Sequence, residues 1–519
     1  MSDIPRPKGM KKFESILFEN PEDRPGPDVK MPDFFTDLNL DQIVEAATFG
    51  KKDYDLEPFF YAPLTSSDAI EYRQKVMKDI ENEEVLRAVE TFTEQMSKVH
   101  RYSNMALKLY HRYNKAGWFL EAVLLYGEAV LGLLKGLSGT KLESKGLGRF
   151  LGYLRDYVRS ERFTSLMKEA ESLKSELKSV RYCIRIKESN VRVSRCDPGE
   201  DYSLEVVRTF ERFKQGDVKD YTIKMYRRNG MNHIEARIAE CVAKFYPEEF
   251  SHLERFYSEH GDFLDEVIDG FEREVQFYVA YLELMREIER SGLEFCYPEV
   301  SSEKEIRAAD TYDLALAKNL IYRNEQVVTN DFYLAGRERI IVVTGPNQGG
   351  KTTFARTFGQ IHYLARLGLP VPGSSAKLFL YDRMFTHFER EEDITTMRGK
   401  LEDDLFRVHE ILEEATPNSI VVMNETFSST TLQDAVFLSR KVMEEIDRLD
   451  MFCVFVTFMD ELASFSEKTI SMVSTVVPEN PSERTYKIVR KPADGLAYAI
   501  SIAEKHRLTY GQIKERMDR

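Results

Sequence analysis

The C-terminal part of the chain repeats a short apolar run followed by a longer amphipathic stretch. The runs lie at 339–344, 378–380, 419–423, 452–457 and 470–477. Continuous runs rich in Val, Ile and Phe are typical of strands that are buried on both faces of a parallel sheet. Because such strands alternate with helices, we predict a mostly parallel sheet, covered by helices, from about residue 311 onward.

The upstream pattern is helical. Apolar residues recur at helical spacing between about 36 and 178, and the stretch 66–110 contains few helix breakers. Four glycines within 136–148 predict a loop, and helix returns over 232–292 with a break near Pro247. This part of the chain is therefore predicted to be mainly α-helical.

One segment interrupts the helical region. Tyr182–Lys187 and Val191–Ser194 alternate apolar and polar residues and meet at Glu188–Asn190, which predicts a β-hairpin. Tyr221–Tyr226 is predicted to be a further strand, so we interpret 181–225 as a β-rich insertion.

Three regions follow from these patterns. Residues 1–35 are rich in Pro and charge and are predicted to be an extended leader. Residues 36–325 form a helical domain that carries the insertion, and residues 326–519 form an α/β domain. With 519 residues, the chain is too long for a single compact core.

Composition narrows the class of protein. A hydrophobic content of 42% indicates a globular chain, and a net charge of −14 argues against a uniformly basic nucleic-acid coat. The five cysteines are scattered and form no CxxC motif, so we expect neither a disulfide framework nor a zinc site. This cysteine usage favours a protein of the reducing cytoplasm. No signal peptide or continuous apolar run of about 18 residues is evident, so we expect no membrane span.

The first apolar run leads into a glycine-rich turn. The turn fits G-x-x-x-x-G-K-[ST], the pattern of a phosphate-binding loop. Glycines allow successive backbone N–H groups to face phosphate oxygens, Lys351 would reach the β- and γ-phosphates, and the Thr352 hydroxyl would hold Mg²⁺. The candidate ATP-binding residues are Gly345, Pro346, Asn347, Gln348, Gly349, Gly350, Lys351, Thr352 and Thr353.

A second site is expected at the end of the run 419–423. Nucleotide hydrolases of this class place an Asp there to help hold Mg²⁺. This chain has Asn424, whose carbonyl can accept a hydrogen bond from a metal-bound water but carries no charge. Glu425 follows and is the candidate catalytic base that polarises the attacking water.

These motifs resemble the ATPase domain of the MutS family, DNA mismatch-repair proteins related to ABC-type ATPases. The similarity includes Thr344–Arg356, Leu367–Pro372, Asp382–Thr386, Met423–Asp434 and Ala493–Ala503. It is looser upstream, where Pro63–Leu64, Tyr72–Met77 and Phe295–Val300 resemble the family's core and lever segments. The resemblance implies a multidomain fold: an all-α core and lever region with a small β-hairpin insertion, followed by an α/β P-loop domain of the ABC type.

The resemblance also implies a homodimer with two composite ATP and Mg²⁺ sites. Each site would combine one subunit's loop and Glu425 with a trans signature from the partner, represented here by Gly399, Lys400 and Asp404. Val327 or Val328 lies where the family packs an aromatic residue against adenine.

The chain departs from the family pattern in several places. Asn424 replaces the acidic metal residue, Phe458 replaces a switch His, and Lys400 lies in the trans signature. These changes leave ATP binding intact and favour slow hydrolysis. The family's N-terminal mismatch-reading and connector domains are not recognised, so a partner protein could supply them. A Phe-x-Glu motif at Phe119 lies in an apolar helical stretch and is expected to be core rather than a base-stacking wedge.

One segment is strongly basic. Residues 141–195 contain fourteen Lys or Arg and seven Asp or Glu, a net charge of +7. Two interpretations remain open: a grip on the nucleic-acid backbone, as the resemblance implies for the lever ends, or a solvated surface. The candidate contacts are Arg181, Arg185, Lys187, Arg192 and Arg195.

The function expected from all these features is an ATP-dependent clamp on duplex or branched DNA. It would act in DNA repair or recombination in the cytoplasm without reading mismatches itself. Two alternatives stay open, namely a nucleotide-gated scaffold with little hydrolysis and an ATPase that binds RNA or a ribonucleoprotein.

Overall fold

The computed structural model describes residues 13, 15–26, 29–188, 190–195, 231–389, 399–478, 480–493, 510 and 513–514. Its α-helices are α1 Phe34–Asp37, α2 Leu40–Thr48, α3 Glu57–Tyr61, α4 Ser67–Glu81, α5 Glu83–Lys108, α6 Arg112–Gly139, α7 Lys145–Val158, α8 Glu161–Ser179, α9 His233–Phe245, α10 Pro247–Glu259, α11 Glu266–Glu289, α12 Leu314–Tyr322, α13 Lys351–Arg366, α14 Lys400–Glu414 and α15 Leu432–Leu449. Short 3₁₀ helices span Pro21–Asp23, Lys52–Tyr54 and Asp460–Ser464.

The strands form four sheets within the described residues. In chain order they are β1 Tyr182–Lys187, β2 Asn190–Arg195, β3 Phe295–Cys296, β4 Glu299–Ser301, β5 Ile306–Thr311, β6 Asn330–Leu334, β7 Ile340–Thr344, β8 Val371–Pro372, β9 Ser375–Phe379, β10 Met384–Phe388, β11 Ile420–Asn424, β12 Phe452–Val456, β13 Thr469–Val477 and β14 Asn480–Arg490. The sheets are β1-β2, β3-β8, β4-β9-β5-β6 and the six-stranded β10-β11-β12-β7-β13-β14.

The chain divides into two compact units that are each assembled from separate segments. The first comprises Met1–Phe13, Asn82–Leu142 and Gly148–Glu272, and the second comprises Glu14–Glu81, Glu143–Leu147 and Arg273–Arg519. The predicted domain boundaries after residues 35 and 325 stay predictions.

Long helices dominate the first unit. The helix predicted over 66–110 is interrupted, because the Asn82 side chain accepts hydrogen bonds from the backbone N–H groups of Glu84 and Val85 and so starts a new helix, α5. The loop predicted at 136–148 is shorter, since α6 continues to Gly139. The predicted break near Pro247 is confirmed, with Pro247 in the first turn of α10.

Helix α6 lies at the core of this unit. Phe119 is buried and makes edge-to-face contacts with Tyr257 and Phe263, which confirms its expected core role. Among the described helices, α6 is the one long and apolar enough to cross a membrane by length and composition. Half of its most apolar 18-residue stretch is buried inside the protein, and the core helix of a soluble protein meets the same criteria.

The hairpin predicted in the first unit is confirmed. β1 and β2 pair antiparallel, with Arg185 opposite Arg192 and Cys183 opposite Ser194. Cys183 is disulfide-bonded, which corrects the expectation of reduced thiols at this position. The strand predicted at 221–226 lies outside the described residues.

The six-stranded sheet organises the second unit. Strands β10, β11, β12, β7 and β13 run parallel and β14 closes one edge antiparallel, so the predicted mostly parallel sheet is confirmed. All residues of β7, β11 and β12 are buried. One face of this sheet packs on α15 through residues such as Met443 and Ile446. Side chains of a central strand alternate between the two faces of the sheet, so both faces must be covered.

The segment predicted as an extended leader contributes to this unit's core. Ile16, Leu17 and Phe18 are almost completely buried. Arg73, which is also fully buried, donates from Nε to the Leu17 carbonyl at 2.8 Å and from Nη1 to the Leu367 carbonyl at 3.1 Å. Its guanidinium lies 4.7 Å from the centre of the Phe18 ring. A buried charge held this way fixes the segment, since the cation would otherwise lose its hydration without compensation.

Candidate functional site

The glycine-rich loop lies at the carboxyl edge of the six-stranded sheet. It spans 345–350 between the central strand β7 and helix α13. Strand β12 is the neighbour of β7, and β11 lies beyond β12, so the residues that follow these three strands meet at one edge. Ligands of open α/β sheets bind at this edge.

Glycine is required at several loop positions. Gly345 and Gly350 have φ angles of +117° and +91°, a region that residues with a Cβ rarely adopt. A Cβ on Gly345 would lie 2.9 Å from the Ser474 carbonyl oxygen, and one on Gly349 would collide with the Ser474 hydroxyl. The loop backbone is thereby brought close to β13.

The side chain of Lys351 turns back into the loop. Only 4% of it is exposed, and Nζ donates to the carbonyl oxygens of Gly345 at 3.0 Å and Pro346 at 3.3 Å, and to Asn347 Oδ1 at 3.4 Å. Burial lowers the pKa of Lys351, and the Glu425 carboxylate opposes this shift. The loop therefore holds a buried cation whose partners are mostly neutral carbonyls, as suits a group that is to meet an anion.

The first turn of α13 contacts the end of β11. Thr352 Oγ1 donates to Asn424 Oδ1 at 2.9 Å. Thr353 is half-buried, and its carbonyl accepts from the Thr357 hydroxyl. The two predicted metal-holding residues, Thr352 and Asn424, are thus brought together although they lie 72 residues apart in the chain.

Glu425 immediately follows β11 in a strained backbone conformation. Its φ is +53°, and its backbone N–H donates to the Val456 carbonyl on the neighbouring strand. Its side chain is 33% exposed, and Oε1 lies 4.0 Å from Lys351 Nζ. Strain of this kind persists where the surroundings fix it and is frequent at functional sites. The carboxylate is oriented towards the loop and remains accessible to water.

Other predicted residues follow β12 or precede β6. Phe458 follows β12 and is 49% exposed. Val327 and Val328 are half-buried in the segment that precedes β6. Asn330, at the start of β6, donates from Nδ2 to the Tyr486 carbonyl and accepts from the Ile488 N–H, so β6 is tied to β14 near the loop.

One side of the loop is formed by residues that the sequence patterns do not predict. Strand β14 brings Arg484 to the loop, where Nε donates to the Asn347 carbonyl at 3.2 Å, while Ser474 Oγ on β13 donates to the Gly349 carbonyl at 2.7 Å. These residues lie more than 120 positions from their partners. The polar segment that becomes β14 contains Pro481 and gives no local strand signal.

The predicted trans signature begins helix α14. Gly399 is its N-cap, Lys400 forms an ion pair with Glu389, and Glu389 also accepts from the Ser428 hydroxyl at 3.2 Å. Asp404 is buried, and its Oδ1 lies 3.3 Å from Nε2 of the buried His387. These contacts join α14 to β10 and to the loop after β11 within one chain.

The candidate nucleic-acid residues lie on the hairpin of the first unit. Arg185, Lys187 and Arg192 are exposed, and register places them on one face. Arg195 is engaged locally: it donates to the Phe245 carbonyl, and its guanidinium lies 5.2 Å from the centre of the Tyr246 ring. Arg181 is exposed, and its backbone carbonyl accepts from the Tyr246 hydroxyl at 2.6 Å.

Comparisons with known proteins agree on one family. Residues 341–515 match the family model of MutS domain V. A DNA mismatch repair protein MutS of Orientia tsutsugamushi (strain Boryong) is 27% identical over 214 residues, which are 40% of this chain and 24% of that protein. The Erythrobacter litoralis (strain HTCC2594) protein of the same name is 26% identical over 295 residues, 53% of this chain and 33% of that protein. The DNA mismatch repair protein MutS of Fervidobacterium nodosum (strain ATCC 35602 / DSM 5306 / Rt17-B1) is 30% identical over 184 residues, which are 34% of this chain and 22% of that protein.

The fold and the site edge define a multidomain protein of mixed helix and sheet, with a glycine loop at the carboxyl edge of a parallel sheet. The match of residues 341–515 to MutS domain V and the similarity to MutS proteins, at modest identity over part of the chain, support membership of the MutS family. The matched regions span between about a quarter and a third of the length of these curated relatives.

Proposed function

We propose that this chain is an ATP-dependent DNA-binding protein of the MutS family that works as a homodimeric clamp. The activity, the DNA ligand and the dimer partner go beyond the similarity to MutS proteins. It also takes residues 326–519 as the ATPase and dimerisation domain and residues 36–325 as the core and lever domain. The leader would be residues 1–35.

The observation that carries this proposal is the convergence of four side chains at one loop. Lys351 turns into the loop, Thr352 contacts Asn424, and Glu425 lies 4.0 Å from the Lys351 ammonium. A buried cation, a hydroxyl beside an amide oxygen and an accessible carboxylate are the groups required for binding a nucleoside triphosphate with its metal. Their convergence supports ATP as the ligand.

Each residue has a proposed role. Backbone N–H groups between Gly345 and Gly350 and the N-terminus of α13 would bind phosphate oxygens, and Lys351 would neutralise the β- and γ-phosphates. Val327 would contact adenine. Thr352 and Asn424 would hold Mg²⁺, Asn424 through a water; when bound, Mg²⁺ supplies positive charge to the phosphate oxygens. Glu425 would accept a proton from the attacking water.

Hydrolysis is proposed to be slow. The amide of Asn424 cannot supply the negative charge that an Asp gives a metal, and Phe458 cannot exchange protons or hydrogen-bond to a phosphate. The same two residues favour a second candidate function, a scaffold gated by ATP binding alone. Turnover below about one per minute would indicate the scaffold, since ordinary enzymes work near roughly 10 s⁻¹.

Two chains are proposed to complete each site. The loop and Glu425 of one subunit would face the segment from Gly399 to Asp404 of the other. Lys400 would then offer a charge to the partner's γ-phosphate where the family resemblance implies a hydroxyl. ATP would hold the dimer closed, and hydrolysis would release it.

The clamp's ligand is proposed to be duplex or branched DNA. The exposed arginines and lysine of the β1-β2 hairpin and a local net charge of +7 support binding to a phosphate backbone without sequence reading. Structured RNA is the alternative target, because backbone contacts need not distinguish the two polymers. The cytoplasm is the proposed location, and mismatch-reading domains could come from a partner protein.

The decisive experiment is nucleotide binding by the purified chain and two lysine variants. Lys351→Ala should abolish binding of a fluorescent ATP analogue, because it removes the cation inside the loop. Lys377→Ala is the matched control. Lys377 lies on β9 of the same unit, and its ammonium is ion-paired with Glu303 and Glu305. Unchanged binding by Lys351→Ala would refute the site.

Turnover measurements would then separate the candidate functions. ATPase activity is measured alone and with homoduplex, mismatched and branched DNA and structured RNA. Stimulation by DNA supports the clamp, and stimulation by RNA alone supports the alternative target. A flat rate near zero with ATP still bound supports the scaffold.

A further inference from the structure

The hairpin formed by β13 and β14 lies directly against the glycine-rich loop. Ser474 on β13 approaches Gly345 and donates a 2.7 Å hydrogen bond to the Gly349 carbonyl. On β14, the backbone and ring of Tyr486 are the atoms nearest to Gly350, where a Cβ would lie 3.8 Å from the ring atom Cδ1. The hairpin is therefore one wall of the loop, although the phosphate-binding motif includes none of its residues.

A β-bulge shapes this wall. In the register of the two strands Ser474 faces Ile488 and Val476 faces Arg484, so the single Thr475 lies opposite three residues of β14. Tyr486, in the middle of these three, has a φ of +57°. Bulges redirect side chains and are frequent next to active sites, and a strained tyrosine persists only where its surroundings hold it.

Asn330 holds the bulge from the side of β6. Its Nδ2 donates to the Tyr486 carbonyl at 3.2 Å, and its Oδ1 accepts from the Ile488 N–H at 2.7 Å. The Thr485 hydroxyl adds a bond to the Thr475 carbonyl at 2.9 Å. The irregular part of β14 is thus fixed on both sides rather than left as a loose turn.

The bulge directs Arg484 to the loop. Its Nε donates to the Asn347 carbonyl at 3.2 Å. Burial is the main cause that lowers the pKa of Lys351, and the positive charge of Arg484 contributes in the same direction. Two cations therefore influence one loop, with Glu425 and Asp460 as the acids that oppose the shift. Two cations on one loop repel each other, and a polyanion that binds to both relieves this repulsion.

We propose that Arg484 binds the terminal phosphate of a nucleoside triphosphate as a second cation beside Lys351, and so makes the site prefer triphosphate to diphosphate. Lysine of a phosphate-binding loop reaches the β- and γ-phosphates. Arg484 and Lys351 both donate to Asn347, Arg484 to its carbonyl and Lys351 to its side-chain oxygen, so Arg484 lies on the part of the loop that Lys351 serves. An arginine can also donate two parallel hydrogen bonds to a phosphate, which lysine cannot. This inference rests on the proposed nucleotide binding at the loop.

The test compares affinities for a non-hydrolysable ATP analogue and for ADP by calorimetry. Arg484→Ala should weaken binding of the analogue about tenfold, the value of one hydrogen bond to a charged group, and change ADP affinity less than about twofold. Arg484→Lys should recover part of the loss, because it restores the charge without the paired donors. Arg490→Ala is the matched control on the same strand: Arg490 is ion-paired with Glu338 and stacks on Tyr333.

The possible results separate this inference from the proposed function. Equal losses for ATP analogue and ADP, or no loss for either, would overturn the role of Arg484 while Lys351→Ala still abolishes binding. If Lys351→Ala binds normally, or if the wild-type chain binds neither nucleotide, the proposed function fails and this inference fails with it. Thermal unfolding of Arg484→Ala, compared with Arg490→Ala, shows whether the hairpin remains folded. If Arg484→Ala unfolds and Arg484→Lys does not, the ratio of ATP-analogue to ADP affinity of Arg484→Lys decides.

Discussion

Thr352 and Asn424 are joined by a 2.9 Å hydrogen bond from the threonine hydroxyl to the amide oxygen. The contact links the first turn of α13 to the end of β11. An aspartate of the same shape could accept the same bond and would add a negative charge. Asn424 is 8% exposed, so that charge would be poorly screened by water and strongly felt by a cation.

Asn424→Asp is therefore expected to lower the Mg²⁺ concentration that gives half-maximal ATPase activity. The gain should be on the order of tenfold, the difference between a neutral and a charge-assisted hydrogen bond. A Mg²⁺ titration of the steady-state rate measures it. Asn424→Ala, which removes the oxygen, should shift the requirement upward. The proposed metal role would be wrong if the aspartate and alanine variants shifted it alike.

Glu425→Gln tests the proposed base. Glutamine has the same shape and can keep the φ of +53°, but it cannot accept the proton of the attacking water. We expect turnover to fall by at least about 10²-fold, the usual contribution of general base catalysis, with ATP binding retained. Size-exclusion chromatography with ATP should show a dimer that persists.

Glu461→Gln is the control for that variant. Glu461 follows β12 in the same region, is 55% exposed and pairs with Arg440 on α15. Its removal should leave turnover within about twofold, as expected for an exposed ion pair. Turnover by Glu425→Gln at the level of this control would exclude Glu425 as the base.

The sequence predicts which residues lie together at the centre of the candidate site, but not those at its periphery. Strands β7, β11 and β12 are buried on both faces and therefore appear as continuous apolar runs. The loop that follows β7 is contiguous in the chain, so Lys351 and Thr352 could be assigned from a local motif.

Residues that reach the loop from elsewhere gave no such signal. Strand β14 is an antiparallel edge strand with many polar, exposed positions, and its sequence predicts no strand. Strand β10 overlaps the family motif Asp382–Thr386, but the sequence predicts no strand there, because Met384–Phe388 carries polar residues among its apolar ones. Arg484 and Glu389 are functional candidates that only the paired strands reveal.

Lys400 is held within its own chain, by Glu389. The hydrogen bond from Lys400 is the main cause that lowers the pKa of Glu389. If Lys400 acts on the partner's nucleotide, it must first leave this carboxylate. Glu389→Gln should therefore raise the ATPase rate about two- to fivefold, in line with the loss of an exposed ion pair, and Lys400→Ala should lower it.

The comparison is made with Glu444→Gln, which breaks the exposed pair with Lys441 on α15. That variant should not change the rate. A fall in the rate for Glu389→Gln equal to that for Lys400→Ala would mean that the intact pair is needed, and the proposed release of Lys400 would be wrong. Concentration dependence of the rate shows whether the effect requires a dimer.

Arg185 and Arg192 face each other across the β1-β2 hairpin. Like charges directly opposite one another destabilise a strand pair, and a bound phosphate would relieve this repulsion. The double variant Arg185→Glu and Arg192→Glu should weaken DNA binding and reduce the slope of log affinity against log salt by about two, or one per phosphate contact. Fluorescence anisotropy at several salt concentrations measures both quantities.

A second double variant controls for net charge. Lys98→Glu and Arg237→Glu change the charge by the same amount at exposed positions of the same unit. If only the hairpin variant loses affinity and slope, the hairpin grips the backbone, because long-range attraction alone would respond equally to both. Equal losses would assign the effect to the overall field of the protein, and unchanged affinity in the hairpin variant would return these arginines to the solvated surface.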